Sequence, residues 1–225
     1  MNICLFARST VAHRIGGMEI HGDLLGRGLA ARGQRVVVIT TRHPRGLVWE
    51  EQDGVQTAYL PESPNRYCRE WWRGSVAKFT DLAAHIDFDV VVSQSAGAYA
   101  YCRARKQAGG PPVVAFMHGT PQGEVRSVWN QVTTAGEFVR FAAKTLPDAV
   151  LRSWPWFRAT LRAASAIVAV SHELADDLRR EFPVSRGKLT TILNGIETAR
   201  FCPSAGRGCA LRAKWGLRER ETLIL

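Results

Sequence analysis

An open, doubly wound α/β sheet of mostly parallel strands is the fold class this sequence predicts, and three observations predict it. From Asn2 to about Leu193, short apolar segments alternate with longer ones of helical spacing, an order that fits a sheet with helical crossovers. The apolar segments do not alternate with polar residues as half-exposed strands do; Arg35 to Thr40, with its Val-Val-Val-Ile centre, reads as buried on both faces. The chain has 225 residues, 46% of them hydrophobic, enough for one substantial core and the beginning of a second unit but not for two full α/β domains.

The first strand is Asn2 to Phe6. Gly17 to Arg32 then carries Met18, Leu24, Leu25, Leu29 and Ala30 at helical spacing, and Gly33 is placed to close that helix with a left-handed cap. Arg35 to Thr40 completes a βαβ unit. Val55 to Leu60 is a weaker strand ahead of a long helical stretch, after which Asp89 to Ser93 and Val113 to Met117 return to the sheet. Glu124 to Leu146 and Leu151 to Ala164 read as two amphipathic helices separated by Pro147. Ala166 to Val170 and Leu189 to Leu193 complete the strand series. Phe201, Cys202, Pro203 and Ser204 resemble a linker, Leu211 to Trp215 a short helix, and Thr222 to Leu225 the start of a new apolar strand. The predicted organisation is one domain over residues 1–204, followed over residues 205–225 by a linker and the beginning of a second domain.

A formal charge of +10 calls for an anionic partner: a phosphate-bearing substrate, an acidic membrane surface or nucleic acid. The arginines are spread through every segment without a dense basic block, which points away from nucleic acid. Arg66 to Arg73 and Trp154 to Arg158 mix aromatics with arginines, as surfaces that touch lipid headgroups or saccharide rings do, although core packing explains such aromatics as well. No apolar run is long enough to span a bilayer, and the first strand begins too soon after Met1 for a signal peptide, so the expected location is cytoplasmic, with peripheral contact at the inner face of an anionic membrane as an option. Five cysteines at scattered spacings fit reduced thiols better than disulfides or a zinc site.

Three features could carry chemistry. Gly16 and Gly17 stand immediately before the first helix, where a close turn leaves the first helical amides open to an anion or polar substrate; the spacing to Gly22 is not that of a dinucleotide fingerprint. His118 and Gly119 follow the strand ending at Met117, and because ligands of open α/β sheets gather at carboxyl strand ends, this histidine should share a crevice with the glycine pair. Ser171 ends another strand where it can cap the next helix, and Asn194-Gly195 ends the last strand in what could be a simple turn.

Together, Gly16-Gly17-Met18-Glu19-Ile20-His21, His118-Gly119, Val170-Ser171-His172-Glu173-Leu174 and Asn194-Gly195-Ile196 through Phe201 and Pro203 resemble glycosyltransferase family 4, in that family's order and over almost the whole chain. The resemblance implies one Rossmann-like half of a GT-B architecture, the half that mainly binds the acceptor, in an enzyme that moves a sugar from a nucleotide donor with retention at the anomeric carbon. The acceptor would be a saccharide or lipid-linked molecule, with cell-envelope polysaccharide or glycolipid synthesis as the setting. Gly16 and Gly17 would line the loop beside donor phosphates and acceptor, with Glu19 and His21 in the same motif. His118 would touch the transferred sugar or reacting centre beside Gly119, and Ser171, Asn194 and Gly195 would stand at the cleft edge. Neither a metal nor a further cofactor is implied. The family's basic phosphate clamp and paired glutamates lie in its other half, so these 225 residues are expected to be catalytically incomplete.

Two other classes compete. A stand-alone saccharide- or phosphate-binding module shares the fold but has no reason to begin a strand at Thr222. A nicotinamide-dependent oxidoreductase should end its second strand in an acidic residue, whereas this one ends in Thr40, Thr41 and Arg42.

Overall fold

A computed structural model describes residues 1–183, 187–198, 201, 202, 205–218 and 221. The chain divides into two compact units, Met1–Asn194 and Gly195–Leu225. In the second, a helix spans Ala205–Lys214; the strand expected at Thr222 to Leu225, and Pro203 and Ser204 of the expected linker, fall outside the described residues.

The first unit is built on one eight-stranded sheet in the order β3-β4-β2-β1-β5-β6-β7-β8. The strands are β1 (Asn2–Phe6), β2 (Arg35–Thr40), β3 (Trp49–Gln52), β4 (Val55–Tyr59), β5 (Val90–Gln94), β6 (Val113–Met117), β7 (Ala166–Ala169) and β8 (Leu189–Thr191). All pairings are parallel except β3 with β4. Each strand that the sequence reading placed between Asn2 and Leu193 is present; β3 is an addition. It forms a hairpin with β4 across Asp53 and Gly54, both at positive φ (51° and 75°), the backbone that a two-residue Asp-Gly turn requires.

The helices of this unit are α1 (Gly17–Ala30), α2 (Arg69–Ala83), α3 (Tyr99–Ala108), α4 (Pro121–Trp129), α5 (Ala135–Arg140), α6 (Leu146–Asp148), α7 (Trp154–Ala163) and α8 (His172–Glu181). Gly33, at φ 75°, ends the first crossover as predicted: its amide bonds Ala30 O and the next amide bonds Leu29 O. One face of the sheet buries Cys4, Phe6, Val37 and Ile39 against Trp71 and Phe79 of α2, Tyr101 of α3, Phe157 and Leu161 of α7 and Leu174 of α8. The other buries Ile3, Leu5, Val36 and Val38 beneath Leu25 and Leu29 of α1. Gly97 allows the β5–α3 turn to lie against β1, since a Cβ there would stand 2.5 Å from the Phe6 carbonyl oxygen.

The two helices expected on either side of Pro147 are divided differently. The break falls at residues 130–134, and one helical run then continues from Ala135 to Ala163 through both Pro147 and Pro155. Two wide π turns, Phe141–Thr145 and Ala149–Ser153, make this possible. The residue before each proline bonds five residues back, Leu146 to Phe141 O and Trp154 to Ala149 O, so the ladder absorbs the amide that each proline lacks.

Candidate functional site

Strand order reverses between β1 and β5: the chain steps outward from β1 through β2 and β4 on one side, and from β5 through β6, β7 and β8 on the other. Such a reversal opens a crevice at the carboxyl ends of the strands. The loop after β1, Gln94 at the end of β5, His118 after β6 and Ser171 after β7 all reach this edge. The register pairs Phe6 with Ser93, Gln94 with Phe116 and Met117 with Ala169, which levels the strand ends.

A cleft of about 610 Å³ lies along the edge, and His118, Gly119 and Ser171 line it with Arg14 and Met18, which flank the glycine pair. Gly16 is the residue before α1 and Gly17 its first residue. A Cβ on Gly16 would fall 2.5 Å from a Glu19 carboxylate oxygen, whereas a Cβ on Gly17 would meet nothing within 4 Å. Neither glycine has positive φ. The protein fold therefore uses the bareness of Gly16 to seat Glu19 but makes no such demand at Gly17, which is exposed.

Glu19 is buried, and its carboxylate accepts from Arg14 Nε at 2.8 Å. Burial by itself raises a carboxyl pKa; here the Arg14 hydrogen bond, the residue's own amide and the Ser9 hydroxyl outweigh it and hold Glu19 below its usual value. The pair locks the loop onto the first turn of α1. Among the described residues, the Gly17 and Met18 amides, which have no acceptor within the helix, donate to no other protein group.

Behind the cleft wall, Gln94 joins two histidines. His118 Nε2 lies 2.5 Å from Gln94 Oε1, Gln94 Nε2 lies 3.3 Å from His21 Nδ1, and the imidazoles meet edge to face at 4.8 Å. Since an amide oxygen can only accept, the assigned orientation places the His118 proton on Nε2 and leaves Nδ1 as the acceptor. Burial, then the proximity of His21, pushes His118 down to about 4, with Glu19 acting weakly the other way. Burial lowers His21 too, against the Gln94 hydrogen bond. Both rings are neutral at pH 7.

Ser171 accepts from the Leu174 amide at 3.1 Å and so caps α8 while facing the cleft. Glu19 and His21 stand behind the surface that the glycine loop and His118 present. Asn194 does not line this cleft; it is exposed and without assigned secondary structure at the end of the first unit, and Gly195, also exposed, begins the second. The sequence reading passed over Gln94 and Arg8. Gln94 is nearly fully buried at the end of a Val-Val-Val-Ser run, and a polar residue closing such a strand was the available signal. Arg8 lines the cleft with its guanidinium 5.2 Å from the Tyr67 ring, and its buried Nε has no hydrogen-bond partner among the described residues.

A doubly wound sheet with a polar cleft at its switch point defines a ligand-binding α/β half, and comparison places it more closely. The Glycosyltransferase Family 4 model matches residues 15–200, and the chain belongs to that family. No curated protein sequence matches it. In fold it is similar to sucrose-phosphate synthase from Thermosynechococcus elongatus (TM-score 0.70, 21% identity, 98% of this chain and 53% of that one). It is also similar to the catalytic domain of Starch Synthase IV from Arabidopsis thaliana bound to ADP and acarbose (0.61, 12%, 98% and 60%), and to Anabaena HepE in complex with UDP-glucose (0.60, 18%, 96% and 50%). The chain spans about half the length of the sucrose-phosphate synthase it matches. The architecture is that of one Rossmann-like half of a GT-B glycosyltransferase.

Proposed function

We propose that this chain is the acceptor-side half of a retaining glycosyltransferase that moves a hexose from a nucleotide donor to a hydroxyl of a saccharide or lipid-linked acceptor. The observation that carries the reading is the meeting of His118 with Arg14 and Met18, which flank the glycine pair, at one open edge, with Gln94 joining His118 to His21 of α1, in a chain of this family. Departure of a nucleoside diphosphate develops negative charge, which oriented amides stabilise without reorganisation; the Gly17 and Met18 amides at the positive end of α1 supply part of that field. Neutral His118, its Nε2–H committed to Gln94, offers the reacting sugar an acceptor rather than a cation. Arg8 adds a cation to the acceptor side of the cleft. UDP-glucose bound to HepE and ADP bound to Starch Synthase IV support a nucleotide-linked donor. The donor clamp belongs to the family's other half, and these 225 residues alone do not turn over a sugar nucleotide.

The test is a screen of nucleotide hexoses against saccharide and lipid-linked acceptors, run on a polypeptide that also carries a donor-binding half. Transfer with retained anomeric configuration is expected. His118→Ala lowers kcat/KM by roughly 100-fold, the scale of losing one oriented polar group at a reacting centre. Gly17→Ala, placed in open space at a helix start, leaves the melting temperature unchanged but weakens transfer by filling the approach to the amides. Full activity in both variants, or turnover by the 225-residue chain alone, contradicts the reading.

A further inference from the structure

The loop from Ala7 to Gly16 contains neither helix nor strand, and Val11, Ala12, Arg14 and Ile15 in it are exposed. Two side chains pin it. Arg14 fastens its far end to Glu19 of α1, and one residue earlier His13 fastens its middle to the end of β2. The Thr10 amide donates to His13 Nδ1 at 3.1 Å, and the Thr10 hydroxyl lies at the same distance. On the other side of the ring, Nε2 stands 3.1 Å from the Arg42 carbonyl oxygen and 3.2 Å from the Thr41 hydroxyl. That hydroxyl commits its own proton to the Arg8 carbonyl at 2.8 Å, so toward His13 it can only accept. A single tautomer satisfies every one of these groups: Nδ1 bare, facing the Thr10 amide, and Nε2 protonated, facing two oxygens. The His13 and Arg14 amides close back on the Thr10 carbonyl oxygen at 2.9 and 3.3 Å, so the imidazole knots residues 10–14 into one turn and moors that turn at residues 41–42.

We infer that His13 is a positioning residue of the ligand edge: its neutral ring latches the loop to β2 and holds Arg14 and the Gly17 and Met18 amides in place for the phosphates of a nucleotide donor, and its protonation releases them. This role rests on the nucleotide-sugar reading of that edge. A proton added at Nδ1 sets a donor against the Thr10 amide, which then loses its acceptor. Titratable and charged groups surround the ring: Arg42 and His43 follow β2, Arg14 is next in the chain, and the Tyr59 ring of β4 lies 6.1 Å away. Glu50 of β3 accepts the Tyr59 hydroxyl at 2.7 Å, and Arg45 acts on that hydroxyl with the opposite sign. Burial holds His13 below its ordinary value against the backbone bonds at Arg42, Thr41 and Thr10, and His43 adds to the lowering. The latch is therefore closed at neutral pH and opens only as pH falls below about 6.5.

The test uses nitrogen-15 NMR of the 225-residue chain, with UDP-glucose as the probe. In the free chain, His13→Ala should lower the order parameters of the loop amides between Thr10 and Gly16 from about 0.85, rigid backbone, to below about 0.6, and leave β1 and β5 rigid. It should also weaken UDP-glucose binding by about tenfold, read at the Gly17 and Met18 amides. His13→Gln places an amide nitrogen where Nε2 stood, keeps the mooring to the Arg42 carbonyl, and should restore most of both readouts. From about pH 7.5 to about pH 5.5 the wild-type affinity should fall several-fold and that of His13→Gln far less, since neither the new amide nor the diphosphate titrates there. A rigid loop in His13→Ala, a loosened loop that binds as tightly as before, or equal pH dependence in wild type and His13→Gln would overturn the latch and leave the ligand edge standing. A wild-type chain whose Gly17 and Met18 amides ignore UDP-glucose would remove the functional reading and the latch together.

Discussion

His118 lines the cleft with a side chain whose state is set by its neighbours. A histidine pulled from its ordinary 6.5 to about 4 by burial beside a second imidazole must stay uncharged in the folded protein over the whole physiological range. The unfolded chain binds that proton more readily, so between pH 6.5 and 4 it holds more protons than the native state, and stability falls as pH falls through that window. The contribution present above pH 6.5 and lost by about pH 4 is of order 3 kcal/mol. Ring-proton NMR of the native chain should place the His118 midpoint near 4, and a midpoint at 6.5 would remove the account of a buried, neutral ring. The sequence reading expected His118 and the glycine pair at one crevice because strand-end position is readable from apolar periodicity; His118 lines the cleft with Arg14 and Met18, the residues that flank the pair. It did not reveal that Gln94 links the two histidines: that contact depends on strand order, which brings β5 between β1 and β6.

Elements were legible where local pattern and tertiary demand agree. β1, β2 and β6 match their apolar runs because those strands are buried on both faces, and Gly33 closes α1 because only a glycine takes that backbone without strain. β3 was missed because Trp-Glu-Glu-Gln has no apolar alternation; the Asp-Gly turn that follows it was the better signal. The helical region after β6 was divided at the wrong residue. Thr134 and Glu137 form a capping box, with each side chain bonding the other's backbone, and that Thr-x-x-Glu signal marks the true start of the long run. Pro147 was given the weight of a breaker, but a π turn gives its ring room. The two readings predict opposite signs for Pro147→Ala. In a continuous run, restoring the amide raises stability by about 1 kcal/mol or more, measured by denaturant unfolding; in a linker, losing the proline's restriction of the unfolded chain lowers it.

At the scale of the molecule, function follows from the strand order. A parallel sheet wound outward in both directions from β1 and β5 leaves one gap between its crossover helices, and every loop that enters the gap comes from a carboxyl strand end. The net charge of +10 is distributed unevenly: at the cleft Arg8 and Arg14 stand with Glu124, Glu173 and Asp177, whereas among the described residues no carboxylate lines the hollows on the α2, α3 and α7 face. Composition raised the expectation of an anionic partner but could not place the charge, since the arginines that gather on that face are scattered along the chain.

The central claim is that the glycine loop and the histidine form one ligand-binding edge, and protein-observed NMR with UDP-glucose titrated into the 225-residue chain tests it most directly. Weak but saturable shifts are predicted for the Gly17 and Met18 amides and the His118 ring, all following one binding curve. Shifts gathered at the opposite edge of the sheet, around Gly33 and Pro112, or separate curves for the loop and the histidine, would contradict it.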